Sequence, residues 1–427
     1  MSLFLLKNIS SLYQVDDSNV SFRTGKSMMN LPKIDNAFLV IKDGLISDYG
    51  SMKDLSPLIE KNASKIEDLD GKLVFPAFCD SHTHLVYAGS RELEYINKVK
   101  GMSYEEIAKR GGGILNSAAL LHNTSEDDLY AQSIPRIEEI MAKGTAAVEI
   151  KSGYGLNTED ELKMLRVIKR IDENFPLLVK STFLGAHSVP AEYKSRQSDY
   201  VDLIINEMIP QVASENLAEY IDVFCDEGFF TPMETDKILN AGMKYGLIPK
   251  IHANELANSG GIQVGVKYNA LSVDHLEFTG PEEMEALINS NTMPTILPGA
   301  SLFLEMNYAP AREMIDFGLP VALASDFNPG SSPSGDMKMI MSLALIKLHM
   351  QPEEILNAVT VNSAYAMGVS DVTGTIGRGK IANLIISKKI PNLEFFPYAY
   401  GSDLIDDVLI NGVGIVGTGH ALSLRPN

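Results

Sequence analysis

Short apolar runs recur through the middle of the chain, each followed by a polar or amphipathic stretch. Eight stand out: Leu73–Phe78, Thr145–Ile150, Leu178–Phe183, Tyr220–Phe224, Leu247–Ile251, Ala270–Val273, Thr292–Leu297 and Pro320–Ala324. Runs this short, bounded by turn residues, read as buried strands. The segments between them have helical periodicity. In 159–175, Leu162, Leu165, Ile168 and Ile171 recur every third residue along one face, and 282–290 has the same texture. Eight strand–helix alternations over 73–365 predict an α/β chain folded as a (β/α)8 barrel of the TIM type. A doubly wound open sheet is the competing architecture, but no G-x-G-x-x-G follows a strand. Gly111, Gly112 and Gly113 follow no strand either and read as a flexible loop.

The two ends differ in pattern. In 38–50, FLVIKDGLISDYG reads as a hairpin turning at Asp43-Gly44. The tail, GTIGRGKIANLIIS and then DLIDDVLINGVGIV, has the same β-rich texture. Residues 1–72 plus 366–427 are therefore expected to form one small β-sandwich domain from both chain ends.

Composition narrows the function. The chain has 427 residues, 45% hydrophobic and 21% charged, with a net charge of −19. That background repels phosphate backbones and anionic lipid, so neither nucleic acid nor membrane is an expected partner. An anionic substrate would need a local cation. Cys79 and Cys225 are the two cysteines; they make no disulfide framework, and a reducing, cytoplasmic setting is expected. The first residues, MSLFLLKNISSLYQ, read as no signal peptide, and no window approaches the roughly 20 apolar residues of a membrane span.

In such a barrel, chemistry belongs at the C-terminal ends of the strands. Five of the eight histidines fall there: His82, His84, His187, His252 and His275. His122, His349 and His420 do not, and read as surface or helix-packing residues. His82 and His84 are two apart in extended chain, so their imidazoles point to one side. His252 ends the fifth run and Asp326 follows the eighth, beside the first strand where a barrel closes. Together they make a three-histidine, one-carboxylate set suited to one divalent metal, Zn²⁺ or iron. Such a metal lowers the pKa of bound water toward ~7, and the hydroxide attacks a carbonyl or amidine carbon. Glu255 is the expected proton shuttle. His275 could orient the hydroxide or stabilise an oxyanion. With Asp326 these form the expected catalytic group. Asp274 could orient a histidine from behind.

At this point the motifs PAFCDSHTHLVYAGSRELEY, KSGYGLNTEDELKML, FLGAHSVP, DVFCDEGFF, KIHANEL, VDHLEF and SDFNPGS resemble, in order, the imidazolonepropionase family of the amidohydrolase superfamily. The resemblance implies hydrolytic ring opening of 4-imidazolone-5-propanoate to N-formimidoyl-L-glutamate, in histidine degradation. It also implies one Zn²⁺ or Fe²⁺/Fe³⁺ per subunit, a homodimer, and a small anionic heterocycle as substrate. On that reading Arg91 clamps the substrate carboxylate and Tyr154 covers the flat ring. His187 bonds the ring or tail, Glu255 touches the substrate, and Asn328, Gly330 and Ser331 hold the carboxylate. Lys151 is expected in a salt bridge at the barrel rim. Two positions depart from the familiar pattern: Ser81 stands where proline is usual, and Asn254 where aspartate is usual; neither is a ligand. Two alternatives stay open. One is a related amidohydrolase, such as a guanine deaminase or a formimino-glutamate deiminase; the other is a non-catalytic barrel.

Overall fold

The computed structural model describes residues 3–18, 20–101 and 113–415. At its centre lies a parallel sheet whose order follows the sequence. The strands are Phe78–Thr83, Thr145–Lys151, Leu178–Ala186, Tyr220–Cys225, Ile251–Ala253, Ser272–His275, Met293–Ile296 and Ala322–Leu323. The last returns to the first. Thr83 bridges Phe327 in parallel, Asp326 donates its N–H to the His82 carbonyl at 3.0 Å, and His84 donates to the Phe327 carbonyl at 2.9 Å. The sheet thus closes into the expected barrel, and the open-sheet alternative falls.

Two runs resolve differently from their apolar pattern. Leu73–Phe78 is not one strand. Leu73–Pro76 pairs antiparallel with Leu384–Ser387 in a second sheet, and the barrel strand begins only at Phe78. Two consecutive buried strands and one long one leave the same apolar trace, which is why periodicity merges them. His82 consequently lies inside the first barrel strand, and only His84 stands beyond it. The fifth run also divides: Ile248–Pro249 pairs with the fourth strand, and the barrel continues as Ile251–Ala253, with His252 within it.

The barrel strands are buried on both faces, with a division of labour. In the fourth strand Ile221, Val223 and Cys225 join the large apolar cluster under the helices, as do Val148, Ile150, Ile251 and Val273 from neighbouring strands. The alternate positions, Glu149, Lys151, Asp222, Lys250, His252 and Asp274, are equally buried and turn to the polar interior. The helix Thr158–Asn174 packs Leu162, Leu165, Ile168 and Ile171 into the cluster. Asn157 caps it, its side chain accepting from the Asp160 N–H at 2.9 Å. Three acidic residues in its first turn suit the positive end of the helix dipole.

The chain ends build a mixed eight-stranded sheet, with strands between Leu3 and Pro76 beside strands between Leu384 and Gly414. Lys33–Lys42 and Leu45–Ser51 form the expected hairpin, its turn at Asp43 and Gly44 having φ of 51° and 82°. Phe4, Leu6, Leu39, Ile41, Leu384 and Ile386 share one apolar cluster on this sheet. Among the described residues no helix is long and apolar enough to cross a membrane. His122 and His349 are exposed, as expected; His420, Gly111 and Gly112 lie outside the described residues.

Candidate active site

Strand register brings the four expected ligands into overlapping donor groups: His82, His84 and Asp326 make one, and His252 joins His84 and His187 in a second and His82 and His275 in a third. His84 Nε2 lies 3.2 Å from His82 Nε2 and 3.3 Å from His252 Nε2. Asp326 Oδ1 lies 3.5 Å from His82 Nε2 and 3.6 Å from His84 Nε2. Donors ~2.0–2.1 Å from a tetrahedral Zn²⁺ stand about 3.3–3.4 Å apart, so the spacing is that of a coordination shell. A ring nitrogen has one lone pair or one N–H in its plane, so His84 Nε2 cannot satisfy two imidazoles by hydrogen bonding. A shared cation satisfies all three. Burial pushes His82 and His84 well below the usual histidine value, leaving the neutral imidazoles a metal needs. Burial also pushes Asp326 up to about 7, a cost that a cation would remove.

Carboxylates deeper in the barrel stand behind the histidines. Asp274 Oδ2 is 2.7 Å from His82 Nδ1, the orienting role expected of it. Asp222 Oδ2 is 3.0 Å from His252 Nδ1, and its other oxygen accepts the His252 backbone N–H at 3.1 Å. Burial alone would raise Asp222, but His252 and Lys151 overcome it and hold the carboxylate well below its usual range. Lys151 is not at the rim. It is fully buried, 2.6 Å from Glu149 Oε1, 2.8 Å from Asp222 Oδ2 and 3.6 Å from Asp274 Oδ2. Lys250 pairs with the other Glu149 oxygen and donates to the Ser81 carbonyl at 3.1 Å. Alternate positions on three strands, with Lys250 from the break before Ile251, thus make one ionic floor beneath the ligands. The expected salt bridge exists, but in the core, because Lys151 still belongs to its strand and points inward.

Beside His82 and His252 stands His275, with Glu255 next to it. His275 Nε2 lies 3.7 Å from Glu255 Oε2. Asp226 fixes the Glu255 loop, its carboxylate accepting the N–H groups of Glu255, Leu256 and Ala257 at 2.7, 2.9 and 3.2 Å. Burial, then repulsion from Glu277, raises Glu255 well above its usual value. Glu277 is itself buried and pushed up to about 8.

His187 stacks on His84 with ring centroids 5.0 Å apart, and Tyr154 lies 5.4 Å from His187. Tyr154 sits in a loop clamped by Glu161, whose carboxylate accepts N–H groups from Gly153, Gly155 and Leu156 at 3.1, 2.7 and 3.0 Å. Gly153, at φ 114°, lets His187 approach so closely that a Cβ would stand 2.9 Å from its Nδ1. Arg91 packs its guanidinium on Gly330, where any Cβ would strike it, and its Nε donates to Glu94 at 3.0 Å. Asn328, Gly330 and Ser331 are brought there too, but they bond one another. Asn328 Oδ1 accepts from the N–H groups of Gly330 and Ser331 at 2.7 and 2.8 Å, and Ser331 Oγ donates to Asp326 Oδ2 at 3.1 Å. In this arrangement they shape the loop that carries Asp326 and supports Arg91.

Sequence reasoning did not single out Asp222, Glu149, Lys250, Asp226, Glu161 or Glu277. The signal for the first three was available: a charged residue inside an otherwise apolar strand, as in YIDVFC and TAAVEIK.

The Amidohydrolase family matches residues 73–413. The imidazolonepropionase of Flavobacterium johnsoniae is 56% identical over 408 residues, 96% of this chain and 98% of that one. The imidazolonepropionase of Christiangramia forsetii is 53% identical over the same shares. Among solved structures, Escherichia coli guanine deaminase superposes with a TM-score of 0.72 at 13% identity, covering 97% of this chain and 99% of that one; this likeness is one of fold alone. With near-complete coverage at more than half identity, the chain belongs to the amidohydrolase family and, within it, to the imidazolonepropionases.

Proposed function

We propose that the chain hydrolyses 4-imidazolone-5-propanoate to N-formimidoyl-L-glutamate, using one divalent cation, zinc or iron, held by His82, His84, His252 and Asp326. The observation that carries this reading is the set of groups around the metal-type donors. The donor cluster has His275 beside it with Glu255 3.7 Å from that ring, His187 stacked on His84 with Tyr154 next to it, and Arg91 resting on Gly330 of the loop that carries Asp326. A deaminase of neutral heterocycles has no need of a fixed guanidinium at that position.

When bound, the cation supplies Lewis acidity that makes hydroxide available near neutral pH. In the overall step an oxygen from water bonds to the ring carbonyl carbon and the carbon–nitrogen bond breaks. One proton ends on the released nitrogen, and another is lost as the new carboxyl group ionises. Glu255 takes the proton from the attacking water and returns it to the leaving nitrogen. His275 Nε2 faces the same space and steadies the oxygen on which negative charge develops. Arg91 holds the propionate tail as a fixed planar cation. Tyr154 and His187 form the wall against which the flat ring lies.

The test follows absorbance of the imidazolone ring and ammonia release in parallel on the metal-analysed protein. Ring opening without ammonia supports the reading. Ammonia without ring opening assigns the chain to the deaminases, and neither, after reconstitution with Zn²⁺ or Fe²⁺, leaves a binding barrel. The reading includes a homodimer, which light scattering of the eluted peak checks. It also includes a cytoplasmic setting, which two buried free cysteines support.

A further inference from the structure

We propose that Glu277 is a positioning residue for His275, fixing the imidazole through Nδ1 and so aiming Nε2 at the space shared with Glu255. This rests on the reading that His275 acts in the hydrolysis. Two atoms carry the inference. Glu277 Oε2 and His275 Nδ1 are both wholly buried, and neither has a hydrogen-bond partner among the described residues. They lie 3.9 Å apart. An unpaired buried polar atom keeps its full desolvation cost, so a small approach that pairs these two removes two penalties at once.

The surroundings hold Glu277 in place for that contact. Ser301 Oγ donates to its other oxygen, Oε1, at 2.8 Å. The chain between the two residues turns through φ of 84° at His275 and 75° at Leu276. A branched residue such as leucine enters that region only against strain, which functional loops tolerate when the surrounding structure enforces it. A short chain results: Ser301, Glu277, His275, Glu255, with a carboxyl group near each ring nitrogen.

Kinetics of variants test it. Glu277→Ala is expected to lower kcat about 10–100-fold, as removal of an orienting partner does, with KM and metal content within about twofold of wild type. Glu277→Gln keeps a polar atom in place and is expected within about threefold of wild-type kcat. In the double variant with His275→Ala, removing Glu277 is expected to cost nothing beyond His275→Ala alone. Wild-type kcat in Glu277→Ala, or losses that multiply in the double variant, would overturn the proposal. Should Glu277→Ala not fold, Glu277→Asp withdraws the oxygen by one methylene and is expected to show the same kcat loss. Nitrogen NMR of histidine-labelled protein separates this from the reaction assigned above. Even in a chain that opens no imidazolone ring, the His275 signals must move in Glu277→Asp, and unmoved signals sink the contact.

Discussion

At the scale of single residues, the proposed roles divide the site into groups that bind, groups that hold and groups that move protons, and substitution separates them. Glu255→Gln keeps the loop that Asp226 anchors and removes only the proton carrier. The expected result is full metal occupancy by elemental analysis with kcat lowered about 10²–10⁴-fold; turnover like wild type would end the shuttle role. Arg91→Ala removes the cation resting on Gly330. It should raise KM about 10–100-fold, the value of one charged hydrogen bond, with kcat much less affected. An unchanged KM would mean that the substrate tail binds elsewhere. Asn328, Gly330 and Ser331 refine the expectation made from the sequence. Their polar groups are spent on each other and on Asp326, which a linear reading of SDFNPGS cannot reveal, because the same groups serve a substrate or a turn equally well.

At the scale of elements, two of the loops beyond the strands are each tied down by a buried acid, Glu161 for the Tyr154 loop and Asp226 for the Glu255 loop. Burial pushes Glu161 up to about 7 from an ordinary 4.5, although its hydrogen-bond donors oppose this. A carboxyl group with a raised folded-state pKa binds its proton more tightly in the folded chain. Its contribution to stability is therefore greatest below about 4.5 and falls as pH rises toward about 7. Glu161→Gln, always neutral, should gain in Tm relative to wild type across that window; a difference constant with pH would show that Glu161 is not titrating there. The strands were legible because their outer faces are apolar, and Thr145–Lys151 was expected almost to the residue. The inner faces were marked only by charged residues within apolar runs, and the two-residue repeat of a closed barrel is what turns Glu149, Lys151 and Asp222 inward. Leu73–Phe78 was merged for the complementary reason: hydrophobicity records burial but not the sheet that provides it.

At the scale of the whole molecule, the fold class was readable because the barrel strands follow the sequence order, and the same order brings His82, His84, His252 and Asp326 into neighbouring positions. The polar support beneath them depends on contacts between distant strands and was not. One consequence concerns how the ring stays shut. The eighth strand is only Ala322–Leu323, and its return to the first is made by the Thr83–Phe327 bridge, two backbone hydrogen bonds and two hydrogen bonds from Ser325 to the Asp80 carboxylate. His82, His84 and Asp326 straddle that same join, so a cation gripping all three would act as a clasp on the barrel as well as a reagent. Chelation should then lower Tm by a few degrees, as loss of a ligand bound well above its Kd does. It should also unfasten the molecule at one place first. Amide hydrogen exchange at His84 and Asp326 is expected to quicken well before that at Lys151, on the far side of the first strand. Equal acceleration everywhere would show that the metal holds the barrel as a whole and not at its join.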